Sequence, residues 1–115
     1  MKERRKEARL LCSDLIKVRI EDAGGAPAEL IANLEDISPN GACLQFDQPM
    51  PEGTRLCLRL GRHLFRGRAV HSTRNDIGHF VGVQFDAGKL WSREIYEPKH
   101  LFDPAHMTAR SKSPA

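Results

Sequence analysis

At 115 residues the chain is long enough for one domain with a single hydrophobic core and short tails, needing neither metal nor disulfide support. Its 18 lysines and arginines against 15 aspartates and glutamates give a net charge of +3, too small for a dedicated nucleic-acid coat. No apolar run is long enough to cross a bilayer, and none follows the basic start as a secretory leader would, which excludes membrane insertion and points to a protein kept inside the cell.

The first element is a basic arm, residues 1–12. Within residues 1–9, Lys2, Arg4, Arg5, Lys6 and Arg9 face only Glu3 and Glu7, so the net charge of the arm equals that of the whole chain. From Leu15 onward apolar residues recur at period two, the spacing of strands with one buried face. Ile16, Val18 and Ile20 alternate with Lys17 and Arg19 in a first strand, broken by a loop over residues 22–27. Leu30, Ala32 and Leu34 form one face of a second, which runs into a turn at Pro39-Asn40-Gly41. Ala42, Leu44 and Phe46 form one face of a third; Leu56, Leu58 and Leu60 alternate with Arg55, Cys57 and Arg59 in a fourth. A turn at Gly61-Arg62 feeds a fifth strand from Leu64 to about Ser72, and Val81, Val83 and Phe85 point inward from a sixth.

Six short strands joined by turn signals, with no long helical pattern between them, predict an all-β fold, an antiparallel barrel or sandwich. Residues 89–97 read as a short helix whose Leu90, Trp91, Ile95 and Tyr96 cover one barrel end and which Pro98 terminates. The barrel with this helix spans residues 13–97. Residues 98–115 form a tail, in which Leu101 and Phe102 are candidates to dock on the barrel and residues 108–115, rich in Ser, Pro and basic side chains, are expected to be disordered.

Enzymatic chemistry has no visible seat. An active site needs a nucleophile beside a base, paired carboxylates or a metal cluster. None of the five histidines has ligand spacing with a cysteine or acidic partner, and Ser13, Ser38 and Ser72 lack a nucleophile-elbow context. Cys12, Cys43 and Cys57 are an odd number without Cys-x-x-Cys spacing, so zinc is not expected and reduced thiols in a cytoplasmic protein are the simplest reading. No catalytic residue, metal or cofactor is assigned. Single-stranded nucleic acid wants exposed aromatic platforms, but the chain has seven aromatics and Phe46, Phe80 and Phe85 read as core, so neither DNA nor RNA is expected as a partner.

Two stretches remain. In Asp36-Ile37-Ser38-Pro39-Asn40-Gly41, Pro39 presets a turn, Asn40 and Gly41 tolerate positive φ, and Asp36 and Ser38, two apart, point the same way in extended geometry. This is a small-anion or base-edge site, or an ordinary hairpin in which Asp36 and Ser38 cap their own backbone. In the arm, Arg5 and Arg9 are four apart: either solvated positions near a terminus, or a clamp whose guanidinium forks match phosphate oxygens and the N7/O6 edge of guanine. Asp36 suits the opposite guanine edge, where ring N–H and exocyclic amine both donate. The two stretches together therefore describe a site for a guanine nucleotide.

Arg5-x-x-x-Arg9 followed, after 26 intervening residues, by Asp36-x-Ser38-x-x-Gly41 and then by Gly82-Val83-Gln84-Phe85 resembles the paired signature of PilZ domains, bacterial receptors of cyclic di-GMP. The resemblance covers roughly residues 4 to 86. It implies a six-stranded antiparallel β-barrel with a flexible N-terminal arm that folds over the ligand. It makes Arg5 and Arg9 the clamp on guanine and phosphate, Asp36 and Ser38 the readers of a guanine edge, and Gly41 the residue that keeps the backbone open. Arg4 falls where the family selects between one nucleotide and a self-stacked pair. Asn40 stands where a smaller residue is common, and His71 is a candidate to stack on a purine. The function implied is a cyclic di-GMP receptor or adaptor in second-messenger signalling, without enzymatic activity, whose ordered arm offers a changed surface to a protein partner. The alternative is a PilZ-like protein-interaction adaptor that binds no nucleotide.

Overall fold

Alternation of apolar and polar side chains along six segments produces six strands. They are β1 (Leu10–Ile20), β2 (Ala28–Ser38), β3 (Gly41–Phe46), β4 (Arg55–Leu60), β5 (His63–Asn75) and β6 (Gly78–Phe85). In the computed structural model they form a closed antiparallel barrel in the order β1-β2-β3-β6-β5-β4. The structure describes residues 9–21 and 28–103; the arm ahead of Arg9, the expected loop over 22–27 and the tail from residue 104 lie outside them. β1 opens at Leu10, well before its alternation is legible, because its first half pairs with the end of β2, where Leu10 faces Ile37.

One side chain in two fills the interior. Val18, Leu34, Ile37, Leu44, Leu56, Leu58, Leu60, Phe65 and Val81 are essentially inaccessible, and burying each contributes roughly 1.5–3 kcal/mol or less according to size. As expected, Val81, Val83 and Phe85 point inward. Phe80 does not join them: it is half-buried, in the opposite phase of β6 and opposite Gln45 and Thr73.

Three register shifts interrupt the pairing, between Leu11 and Asp14 in β1, Leu34 and Asp36 in β2, and Ala69 and His71 in β5; burial keeps its period through the first and changes phase at the other two. An extra residue in one strand reverses which side chains face inward beyond it. In β2, Ala32 and Leu34 are buried, and strict alternation would bury Asp36 next; the extra residue Glu35 instead buries Ile37 and turns Asp36 outward. In β5, Phe65 and Ala69 are buried, and the extra residue Val70 turns His71 outward onto Gly82.

The segment after β6 closes one end without the expected helix over residues 89–97. Only a single turn forms, in which Ser92 O accepts from Ile95 N at 3.0 Å and Tyr96 N at 3.3 Å. Pro98 lacks a donor and biases the preceding residue against helical geometry, leaving a segment too short to propagate. The cap survives as packing: Trp91 is buried, Ile95 and Tyr96 pack against the core, and Leu90 stays exposed. Beyond it the chain docks on its own barrel. Leu11 and Phe102 exchange two backbone hydrogen bonds of 2.9 Å, Ser13 N donates to Lys99 O at 3.1 Å, and Leu101 packs on the core. Buried Asp14 anchors this strap, accepting from the Tyr96 hydroxyl and, at 3.2 Å, from Lys99 N.

Burial, reinforced by nearby carboxylates, pushes the Cys12 and Cys43 thiols from 9.0 up to about 12 and about 11. Burial and the hydrogen bond to Asp14 push Tyr96 from 10.0 up to about 12. Below about 9 these groups are protonated in both folded and unfolded chains. Above it the unfolded thiols, and then the unfolded phenol, lose protons that the folded chain keeps, so stability falls with rising pH until the folded groups ionise as well. Thermal unfolding followed by circular dichroism should show a melting temperature that falls above about pH 9, less steeply in Tyr96→Phe. A flat profile across that range would contradict these burial assignments.

Candidate functional site

The hairpin between β2 and β3 is built from the outside. Ser38 pairs with Gly41 across Pro39 and Asn40, and the Ser38 hydroxyl donates weakly, at 3.4 Å, to Gly41 O. Neighbouring backbone fastens the turn: Pro39 O accepts from Trp91 N at 3.0 Å, and Asn40 O from Phe85 N at 2.8 Å. Neither Asn40 nor Gly41 has a positive φ, so the left-handed turn geometry expected of them is not used. Gly41 is needed for a different reason, since a methyl on its Cα would run into the carbonyl oxygen of Val83 in β6.

Strand pairing then lays out a row across the outer surface: Asp36 on β2, Cys43 on β3, Gly82 on β6 and His71 on β5 are successive cross-strand partners. The bulges in β2 and β5 put both ends of this row outside. The His71 ring lies over Gly82, where an added Cβ would come within 2.7 Å of Nε2, so the glycine lets the imidazole rest against the sheet. The next row brings Ser38, Gly41, Gln84 and Arg68 into line.

Arg9 completes the arrangement. Its Nη2 donates to Asp36 Oδ2 at 3.0 Å, joining the residue just before β1 to the outward carboxylate of β2. The Asp36 side chain is 15 % exposed against 41 % for Arg9, so a mostly covered carboxylate is neutralised by a guanidinium that remains open to solvent. Of the five donors on a guanidinium, this contact uses one. Arg9, Asp36, Ser38, Gly41, His71 and Gln84 border a hollow of about 250 Å3. Cys43 lies between Asp36 and Gly82; burial first, then Asp36 and Glu35, push its thiol up to about 11, partly offset by Arg9, so it adds no charge near neutrality.

Of the six residues singled out from the sequence, Arg9, Asp36, Ser38 and Gly41 meet at this hollow, while Arg4 and Arg5 lie outside the described residues. Val70, Gly82 and Gln84 border it as well; Gly82 and Gln84 belong to the Gly82-Val83-Gln84-Phe85 stretch that carried the resemblance but were given no role at the site, and Val70 was not singled out. For Val70 the only sequence signal was the phase of the strand, which its own bulge disrupts. Chemically the rim offers carboxylate acceptors, a guanidinium fork, a hydroxyl and a flat imidazole, a set suited to a planar heterocycle with donors on one edge and acceptors on the other. No group of three or more His, Cys, Asp or Glu residues with metal-holding geometry occurs among the described residues. Nor is any described helix long and apolar enough to cross a membrane.

The family model for the PilZ domain matches residues 3–93. Among solved structures, the PilZ domain with c-di-GMP of YcgR from Escherichia coli is similar at a TM-score of 0.59 and 15% sequence identity, over 74% of this chain and 79% of that one. The crystal structure of YcgR in complex with c-di-GMP from Escherichia coli is similar at a TM-score of 0.56 and 16% identity, over 74% of this chain and 39% of that chain. At these identities the likeness establishes a shared barrel. No curated protein matches the chain.

The two glycines should respond differently to a methyl group. Gly41→Ala meets backbone that cannot yield and should cost about 1–3 kcal/mol in urea unfolding. Gly82→Ala meets only the end of a side chain, so its stability should stay within about 0.5 kcal/mol while the His71 ring resonances shift. Equal losses in the two variants would refute this packing.

Proposed function

Because this chain belongs to the PilZ domain family, we propose that it is a cyclic di-GMP receptor that acts by binding and carries out no chemistry. The observation that carries the reading is the Arg9–Asp36 ion pair at a hollow that also holds Ser38 and His71. Guanine presents two adjacent donors on one edge and the O6 and N7 acceptors on another. Asp36 accepts from the first edge with Ser38 beside it, a guanidinium fork takes the second or a phosphate, and His71, flat over Gly82, lies under the purine face. The YcgR domain with c-di-GMP, which shares the barrel, supports the choice of ligand.

In the proposed mechanism Arg9 exchanges part of its contact with Asp36 for the ligand, and Arg4 and Arg5 join it. Like charges within the arm oppose its gathering until the phosphates compensate them, so binding orders the arm and changes the surface offered to a protein partner. Arg4 is compatible with a self-stacked nucleotide pair, and the receptor works in the cytoplasm, where its thiols stay reduced.

Calorimetric titration with cyclic di-GMP tests this. A bidentate arginine contact contributes on the order of 1–3 kcal/mol, so Arg5→Ala, Arg9→Ala and Asp36→Ala should each weaken binding about tenfold to a hundredfold. Affinity should also fall as salt rises. Unchanged affinity in all three variants would overturn the site, and no binding by the intact chain would leave the nucleotide-free adaptor as the function.

A further inference from the structure

The outer surface of β1, β4 and β5 carries a second, unrelated concentration of charge. Strand pairing aligns Ile31, Lys17, Arg59 and Leu64 in one row and Glu29, Arg19, Cys57 and Arg66 in the next. Lys17 and Arg59 are thus directly opposite one another at the seam that closes the barrel. Like charges in that relation destabilise a sheet, and an opposite pair at either position would relieve it.

With Arg62 from the following turn, five cationic side chains and two carboxylates, Glu21 and Glu29, line a groove of about 230 Å3 over the buried Cys57. Arg66 is engaged by Glu21 at 3.2 Å. Lys17, Arg19, Arg59 and Arg62 make no salt bridge among the described residues. Apolar side chains flank the charge: Leu64, beside Arg59, is 49% exposed and Ile31, beside Lys17, 55%. In the ring of six strands β4, the middle of this face, lies opposite β3, which carries part of the nucleotide site.

We propose that this face docks an acidic segment of a partner protein in which carboxylates are interspersed with apolar side chains. Charge complementarity selects the acidic character, since five cations outnumber two carboxylates along the groove, four of the five make no salt bridge among the described residues, and Lys17 and Arg59 face each other across the seam. Leu64 and Ile31 select the apolar side chains, because they flank the Lys17–Arg59 pair at the two ends of its row and gain from being covered. A phosphate backbone fits less well: Glu21 and Glu29 border the groove, and no aromatic side chain lines it for base stacking. A second copy of the chain is disfavoured by its own net charge of +3. The inference is independent of the nucleotide reading.

The probe is a fluorescently labelled synthetic peptide rich in glutamate with interspersed leucines, titrated against the full chain by anisotropy with no nucleotide present. Saturable binding is expected, weakened about tenfold by Arg59→Glu and likewise by Arg62→Glu. Arg59→Glu replaces a like-charged pair with an opposite one and should melt no lower than the parent. Arg62 lies in an exposed turn and provides the second variant should Arg59→Glu fail to fold. No saturable binding by the parent, affinity in both variants equal to the parent's, equal binding of an all-glutamate peptide, or tighter binding of a labelled single-stranded oligonucleotide would each overturn the proposal.

Discussion

Four residue pairs between β1 and β4, from Lys17–Arg59 to Ile20–Leu56, close this barrel, and the rest of the molecule depends on that short seam. Closure removes the open edges that strands otherwise expose and fixes which side chains point in. At the seam Val18 and Leu58 are directly paired and fully buried, so the apolar contact beneath the strands holds together a surface that carries opposed cations. The seam is also what makes the outside of the barrel two faces, one organised around Asp36 and His71 and the other around Arg59.

The face proposed to bind the nucleotide is built by departures from regularity. A perfectly alternating β2 would aim Asp36 into the core, where an unpaired carboxylate costs several kcal/mol. The extra residue Glu35 avoids that and spends the inward position on Ile37, and Val70 does the same for His71. Each bulge gives up local ladder pairing and in return delivers a polar side chain to the same outer row. Gly82 between them keeps the row flat, and Gly41 allows the hairpin to lie close against β6.

A chain of hydrogen bonds ties this hairpin to the first half of β1. Trp91 N holds Pro39 O, the Trp91 indole donates to Tyr96 O at 2.8 Å, and the Tyr96 hydroxyl donates to buried Asp14. Asp14 is the one charged residue buried among those described, and its two donors come from the segment after the barrel. The C-terminal strap therefore both compensates a buried carboxylate and pins the start of β1, from which Arg9 reaches Asp36. In this way the segment that failed to become a helix still performs the capping its apolar residues forecast.

Side-chain period was enough to read six one-faced strands from the sequence, in a barrel or a sandwich, and the resemblance to PilZ domains selected the barrel: the inward sets Leu56-Leu58-Leu60 and Val81-Val83-Phe85 follow from alternation alone, because a strand with one buried face must repeat every second residue. The Arg-x-x-x-Arg and Asp-x-Ser-x-x-Gly spacings likewise named Arg9, Asp36, Ser38 and Gly41 without coordinates. What period cannot encode is a change of phase. The bulges at Glu35 and Val70, the approach of Gly41 to Val83, the coil where a helix was expected over 89–97 and the meeting of Lys17 with Arg59 all depend on which strand lies alongside. These were decided by tertiary pairing, since hydrogen bonds and steric contacts between residues distant in sequence leave no mark on local spacing.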